Sequence, residues 1–573
     1  TQDKIGTGAD QDVFCHSFTF QVTEACSLNC TYCLLEGTKI TLLDGSEKNI
    51  EDLQVGEEIL GFDEHNPYQL KPAKITHTFH RKAENIYRII TDNSSLCITG
   101  NHKIVTDNGW MAVEDLTTGY HPGILDKDQR PMFSHSMDVF QDTISGDVYN
   151  LETETGTYIA NNILVHNCYQ ANKTKERMSF ETGKKFIDNL LADKYDYINR
   201  YNSPAIILEF IGGEPLLEVV LIRKLYEYFL DQCYELNHPW FSLHRLSICS
   251  NGLQYFDPEV QDFFKNYASN ISFNISIDGN KKLHDSCRIQ PNGEGSYDID
   301  IKALNHYASH YIPDRNSKMT LAPSNIKYLF ESVKSFIDQG MKVINLNCIF
   351  EEGWKPKHAL IEYEQLKLLS NHILENDLEN IYLSIFNERQ ESVGNPLNDS
   401  NSCGGNGKML SLRPNGQFYP CIRFMPTSVG NDVEDLCIGH IDKGLDSRNS
   451  KSKVLEKLDE ITRRTQLTDI CFECPIGNQC PGCTALSHTV FGTPNKKATF
   501  SCIMQIAQFL SNVYYWNNLL LKHPDWNLDV RKNVLPDEWS LLVINKDELD
   551  YLKTLECMAM IIKMQSHEKN RGE

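Results

Sequence analysis

Three textures of apolar and polar residues follow one another along the chain. Ser17–Val22 alternates apolar and polar positions, the pattern of a half-buried strand. Between 33 and 167 the apolar positions come in short β-type runs: Lys39–Leu42, Lys71–Phe79, Ile86–Thr91 and Ser95–Thr99. The turn pairs Asp44-Gly45 and Asn108-Gly109 punctuate them. No long amphipathic helix interrupts these runs, so the stretch predicts a compact all-β domain. From 168 onward strand-like runs alternate with helical ones. Ala205–Ile211, Arg245–Ser250, Ile271–Ile277, Lys318–Leu321 and Lys342–Phe350 read as strands. The clearest helix runs from Ser324, a capping residue, to Gly340, with Ile326, Leu329, Phe330, Val333, Phe336 and Ile337 on one face. With the first strand this predicts six or so βα units, a partial or full parallel barrel whose site lies at the C-terminal strand ends. Residues 400–510 have weaker periodicity, and 511–573 carry aromatic and Leu-rich helical segments.

Composition narrows the class. A chain of 573 residues exceeds one core, so several domains are expected. The net charge of −22 argues against nucleic acid as a partner, since phosphate binding needs clustered cations. No apolar run is long enough to span a membrane, and the first residues lack a basic segment followed by an apolar core. A cytoplasmic location is therefore expected. Of 19 cysteines, seven fall between Cys403 and Cys483, with Cys502 following. In the cytoplasm such clustering reads as metal or iron–sulfur ligation rather than disulfides.

The cysteines near the N-terminus pose a puzzle. Cys26, Cys30 and Cys33 have C-x3-C-x2-C spacing, which can hold three irons of a [4Fe–4S] cluster and leave the fourth open. The texture changes abruptly after Cys33, and a second Cys-Tyr start appears at Cys168. Removing 33–167 and joining Tyr32 to Cys168 restores the same spacing. The residues at the ends of this block suit such an excision. The Cys33 thiol can attack the Tyr32 carbonyl to form a thioester, with Thr99 and His102 suited to polarising the carbonyl and protonating the leaving nitrogen. Cys168 can attack that thioester. Asn167 can cyclise onto its own carbonyl with help from His166, and an S-to-N shift leaves a Tyr32–Cys168 amide.

On these residues the block resembles inteins of the Hint fold. The matching stretches begin at Cys33-Leu-Leu-Glu-Gly-Thr38 and Leu53-Gln-Val-Gly56, continue through Thr99-Gly-Asn-His102 and Val148-Tyr-Asn150-Leu151, and end at Val165-His166-Asn167-Cys168. The block is too short for a homing endonuclease, so the resemblance is to a mini-intein. Asn150 stands where many inteins carry Asp, and Thr155-Gly156-Thr157 where they carry His. A Hint domain that cleaves without splicing is the alternative.

With the block removed, Cys26, Cys30 and Cys168 form the iron-binding loop, against a structural zinc site as the plainer reading. Ile211-Gly212-Gly213-Glu214-Pro215 follows one strand, Ser250-Asn251-Gly252 the next, and Ser276-Ile-Asp278-Gly279 the one after; His284-Asp285 and Arg288 follow. The glycines allow close backbone approach, and Glu214 can accept from an amino group. Residues 1–32 plus 168–390 resemble the radical S-adenosylmethionine enzymes. The resemblance implies an α/β fold, a partial (β/α)6 barrel, and an open iron that binds S-adenosylmethionine and cleaves it reductively to a 5′-deoxyadenosyl radical. Gly212, Gly213 and Glu214 would hold the methionine amine, and Ser276 and Arg288 the carboxylate or ribose. An electron donor such as flavodoxin or ferredoxin is implied.

The later thiols run Cys403-x12-Gly416-x4-Cys421, then Cys471-x2-Cys474-x5-Cys480-x2-Cys483, then Cys502, which exceeds one zinc site. They resemble the SPASM domain, which implies two auxiliary [4Fe–4S] clusters. Cys471, Cys474, Cys480 and Cys502 would hold one, and Cys403, Cys421 and Cys483 the other, either three-coordinate or recruiting Cys437. The last spacing has two residues where the family has three. Glu209–Leu216, Met319–Asn325 and Asn347–Trp354 resemble the CXXX-repeat peptide maturases. That implies a ribosomally made, Cys-containing precursor peptide as substrate. The alternative is a sulfatase-maturase type of enzyme forming formylglycine.

Overall fold

The computed structural model describes residues 17–26, 33–63, 66–83, 86–100, 102–116, 119–142, 145–166, 176–192, 205–290, 294–312, 316–323, 325–351, 353–386, 403, 405, 409–429, 433, 436–445, 458, 461–477 and 480–569. The chain divides into two compact units. One comprises Thr1–Cys26, Thr174–Leu283 and Asp298–Glu573; the other comprises Ser27–Lys173 and His284–Tyr297.

In the first unit, parallel strands lie in the order Tyr382–Leu383, Val343–Cys348, Asn316–Leu321, Ile271–Ser276, His244–Ser250, Ile206–Gly212, Ser17–Thr23 and Met409–Leu412. Three short antiparallel strands, Gln417–Tyr419, Gly439–His440 and Gly444–Leu445, extend the edge. From Ser17 to Cys348 the strands neighbour one another in chain order, and a helix follows each: Phe180–Leu191, Val219–Glu235, Pro258–Tyr267, Tyr297–His310, Leu329–Asp338 and Pro356–Glu375. This is the sequential strand–helix order that the alternating pattern predicted. The helix expected from 324 begins as a 3-10 turn at Ile326–Tyr328 and becomes α-helical at Leu329; its proposed cap, Ser324, lies outside the described residues. Gly340 ends it at φ +78°, a conformation that costs glycine least.

The two faces of this sheet differ. Phe18 and Phe20 on the first strand are fully buried, and both rings meet Phe186 of the following helix, at 6.3 and 5.0 Å. The alternate residues are polar. Register places Thr19 beside Glu209, Ser247 and Ser272 in turn, and the Thr19 hydroxyl donates to Glu209 Oε2 at 2.7 Å. One face therefore packs on helices, and the row from Thr19 to Ser272 on the other is polar.

The second unit is all-β among its described residues outside Lys281–Cys287, apart from 3-10 turns at Ile50–Asp52 and Val113–Asp115. One seven-stranded antiparallel sheet carries Leu34–Leu35 between Ser95–Ile98 and Gly146–Thr153. An eight-stranded sheet carries Lys39–Thr41 and Ile163–His166. The Asp44-Gly45 turn joins Lys39–Thr41 to Glu47–Asn49 with Gly45 at φ +81°, which explains the glycine there. The two sheets share one apolar core that includes Leu34, Ile40, Ile59, Ile98, Ile104, Tyr158 and Val165.

Candidate functional site

Three groups of residues carry chemistry, the first at the head of the inserted block. Leu34 pairs with Ile98 on one side and Tyr149 on the other. Continuing that register brings Cys33 beside Thr99 and Asn150. The Cys33 N–H donates to Thr99 Oγ1 at 3.0 Å, and the Thr99 N–H donates to the Cys33 carbonyl at 3.0 Å. The hydrogen of the Tyr32–Cys33 amide is thus held by the Thr99 hydroxyl. The His102 N–H in turn donates to the Thr99 carbonyl at 3.0 Å.

His102 is fully buried, and its Nε2 lies 2.8 Å from the His166 carbonyl. A carbonyl only accepts, so Nε2 carries the proton and Nδ1 is bare; among the described residues Nδ1 has no hydrogen-bond partner. Burial pushes this imidazole down to about 3, so it is neutral at ordinary pH. The Thr99–His102 segment therefore holds Cys33 with one residue and His166 with the other. Trp110 packs edge-on against the His166 ring at 4.9 Å. Asn167 and Cys168 lie outside the described residues.

Asn150 is buried, and its Oδ1 accepts from the Tyr158 hydroxyl at 2.6 Å and from the Leu151 N–H at 2.8 Å. The position where many inteins carry an acid is therefore filled by a neutral amide fixed by a tyrosine. Tyr158 gave no signal in the sequence, because its partner lies on a strand of the other sheet.

The second group lies at the C-terminal strand ends of the first unit. A Cβ on Gly212 would stand 2.2 Å from the Thr23 carbonyl oxygen, and one on Gly213 2.1 Å from that of Ala25. The Gly213 N–H donates to Thr23 at 3.0 Å and the Glu214 N–H to Ala25 at 2.8 Å. The close approach that the glycines permit is thus the chain's own: they let the stem leading into Cys26 lie flat on the neighbouring strand. The Glu214 side chain carries a buried carboxylate. It is 1% exposed, and it accepts from Leu216 N at 2.9 Å, Ser250 Oγ at 2.8 Å and Asn251 N at 2.8 Å. Burial pushes its pKa up, while these three donors pull it down. Its side chain fixes Ser250 and Asn251. Asn251 Nδ2 donates to Cys26 Sγ at 3.9 Å, so Glu214 acts on the first thiol through Asn251.

Glu24, two residues before Cys26, is buried against Arg413, whose Nη2 lies 2.6 Å from Glu24 Oε1. That pair joins the stem to the strand Met409–Leu412 and was not visible as a motif. Ser276 Oγ lies 3.5 Å from Cys249 Sγ. Arg288, expected to share a ligand with Ser276, belongs to the 284–297 segment of the second unit, where its carbonyl accepts from Ser296 N at 3.2 Å. Cys30 and Cys168 lie outside the described residues, so Cys26 is the one thiol of this loop whose surroundings are seen.

The third group is the later cysteines, which fall into two sets. The charges of Cys403 and Cys483 both act on Cys421, which burial pushes up to about 12. Those of Cys480, Cys474 and Cys471 act on Cys502, which burial pushes up to about 11. Cys437 packs on the same apolar group as Cys421 and Cys483 but donates to the Gly439 carbonyl at 3.3 Å. Each set has one cation nearby that sequence reasoning missed. Arg423 interacts with Cys483 and Cys421 while bridging to Glu351 at 2.5 Å, and Lys497 Nζ lies 3.4 Å from Cys480 Sγ. Among the described residues no group of three or more His, Cys, Asp or Glu is placed to hold a metal ion. The chemistry of the donor sets, thiols grouped beside a cation, fits thiolate ligation. No described helix is long and apolar enough to cross a membrane.

No protein-family model matches the chain. An uncharacterized protein of Methanocaldococcus jannaschii is 29% identical over 293 residues, which cover 50% of this chain and 85% of that relative. Among solved structures, the chain is similar to the DnaB intein from Synechocystis sp. PCC 6803 at 23% identity, with a TM-score of 0.22, over 24% of this chain and 99% of that one. It is also similar to native anSMEcpe with bound AdoMet and Cp18Cys peptide at 18% identity, with a TM-score of 0.46, over 62% of this chain and 92% of that one.

Proposed function

We propose that the chain is the precursor of a radical S-adenosylmethionine enzyme that modifies a peptide, and that residues 33–167 are a self-excising intein of Hint fold. The observation that carries the splicing reading is the double hold of one segment on both ends of the block: Thr99 on Cys33, and His102 on His166. Thr99 orients the Tyr32–Cys33 amide for attack by the Cys33 thiol, whose proton ends on the leaving nitrogen. His102 keeps the last strand of the block in place for attack by Cys168 on the thioester. The Asn167 side-chain nitrogen then attacks its own carbonyl and releases Cys168, whose freed amine takes over the acyl group.

In the host enzyme the stem Thr23–Ala25, clamped by Gly213 and Glu214, presents Cys26, and Asn251 donates to its sulfur. Cys30 and Cys168 complete the loop, in a partial (β/α)6 barrel formed by residues 1–32 and 168–390. When bound there, a [4Fe–4S] cluster supplies the electron that cleaves S-adenosylmethionine to methionine and a 5′-deoxyadenosyl radical. The two later thiol sets suit auxiliary clusters in a SPASM-like domain at 400–510, with Arg423 and Lys497 offsetting thiolate charge. The polar sheet face from Thr19 to Ser272 suits a peptide backbone better than an apolar ligand. A Cys-containing peptide is the substrate class, with an electron donor such as flavodoxin or ferredoxin.

The test is to incubate the spliced, reduced protein with S-adenosylmethionine and candidate peptides. 5′-Deoxyadenosine and a mass loss on the peptide are expected; no 5′-deoxyadenosine from a cluster-loaded protein removes the reading. The size of the mass change separates a crosslink from formylglycine.

A further inference from the structure

We propose that Cys33 is closed to iron in the unspliced chain, so that it does not serve as the third thiol beside Cys26 and Cys30. This rests on the reading of the Cys26 loop as a cluster site. By spacing alone, Cys33 could complete that loop as well as Cys168 does. Its placement says otherwise.

Cys33 is 2% exposed. It packs in an apolar group with Ala83, Ile86 and Val148, flanked by Leu35 and Cys97. Its N–H and its carbonyl are both taken by Thr99. The next residue, Leu34, is fully buried and paired on both sides, so Cys33 cannot swing out while the strand stays in register. To meet an iron, Cys33 would have to break two hydrogen bonds, leave its apolar surroundings and drag Leu34 with it. A cube of iron and sulfide cannot enter instead, because the site is packed side chain against side chain.

The nucleophile of the first splicing step is thereby kept from the metal for which its neighbours are destined. Of the two thiols that the spacing allows as third ligand, Cys33 and Cys168, the fold withholds Cys33. By sequence spacing, Cys168 is then the third thiol of the loop that begins with Cys26 and Cys30.

The test uses the full chain with Asn167→Ala and Cys168→Ala, which blocks ligation and removes the rival thiol. After anaerobic reconstitution it is compared with the spliced protein and with the same blocked chain carrying Cys33→Ala. The blocked chain is expected to hold about four irons fewer than the spliced protein, one cluster's worth, and adding Cys33→Ala is expected to change nothing. A blocked chain that matches the spliced protein, and loses about four irons on Cys33→Ala, overturns the proposal. If Cys26→Ala with Cys30→Ala leaves the iron content of the spliced protein unchanged, the cluster-loop reading itself fails and takes the proposal with it. A second readout needs no metal. In the native blocked chain Cys33 is expected to resist alkylation, with exposed Cys557 as the internal standard. Labelling of Cys33 as fast as Cys557 contradicts its closure.

Discussion

At the scale of single residues, Thr99 and Glu214 both act by fixing a neighbour. Thr99 accepts the hydrogen of the amide that the proposed splicing breaks, in a site where Cys33, Thr99 and His102 are all at most 7% exposed. Replacing Thr99 with Val keeps the shape but leaves that N–H without an acceptor, at a cost of about 1–3 kcal/mol. Excision is expected to slow roughly tenfold or more, with Thr99→Ser restoring it, as read from the appearance of the ligated product on a denaturing gel. An unchanged rate in Thr99→Val would remove Thr99 from the mechanism. Glu214 reads in sequence as a ligand contact because it follows two glycines at a strand end. Its actual partners, Ser250 and Asn251, are 36 and 37 residues away, and no local pattern could announce them.

At the scale of elements, the decisive contact is the stem Thr23–Ala25 lying on Gly212–Glu214. Gly213→Ala would place a methyl 2.1 Å from a carbonyl oxygen of the main chain, which has no flexible end to yield. The Cys26 stem must shift, and a shift of about 1 Å in a positioned group can cost on the order of 100-fold in rate. S-Adenosylmethionine cleavage is expected to fall on that scale while splicing proceeds normally, since the inserted unit has its own core.

A second element contact lies behind the sheet. Glu362 on the helix Pro356–Glu375 is fully buried, and its Oε1 accepts from Gln508 of the helix Cys502–Lys522 at 2.9 Å and from the Cys348 thiol at 3.3 Å. Burial pushes Glu362 up to about 8 from the ordinary value of 4.5. The folded state therefore keeps the proton that the unfolded state gives up. This contribution to stability is complete below pH 4.5 and is lost as pH rises through 8. Glu362→Gln is expected to flatten that fall, gaining on the order of 3 kcal/mol at pH 8 relative to pH 5 in denaturant titrations. Identical pH slopes for the two proteins would contradict a buried neutral acid. Strands and helices such as Ser17–Thr23 and Leu329–Asp338 were legible because their periodicity is local. The joints between elements, Glu24 with Arg413 and Glu362 with Gln508, were not, because each links residues more than a hundred positions apart.

At the scale of the whole molecule, the chain holds two compact units. The interruption was legible because an all-β texture cuts into an alternating one and because the thiol spacing is restored across it. The allotment of His284–Tyr297 to the inserted unit was not, since its own sequence continues the host pattern. The account stands or falls on whether Tyr32 becomes joined to Cys168. Peptide mass spectrometry of the expressed protein tests this directly. A peptide running from Tyr32 straight into Cys168, together with a free fragment from Cys33 to Asn167, is the predicted result. A protein in which every peptide still runs through Tyr32–Cys33 and Asn167–Cys168 would contradict it.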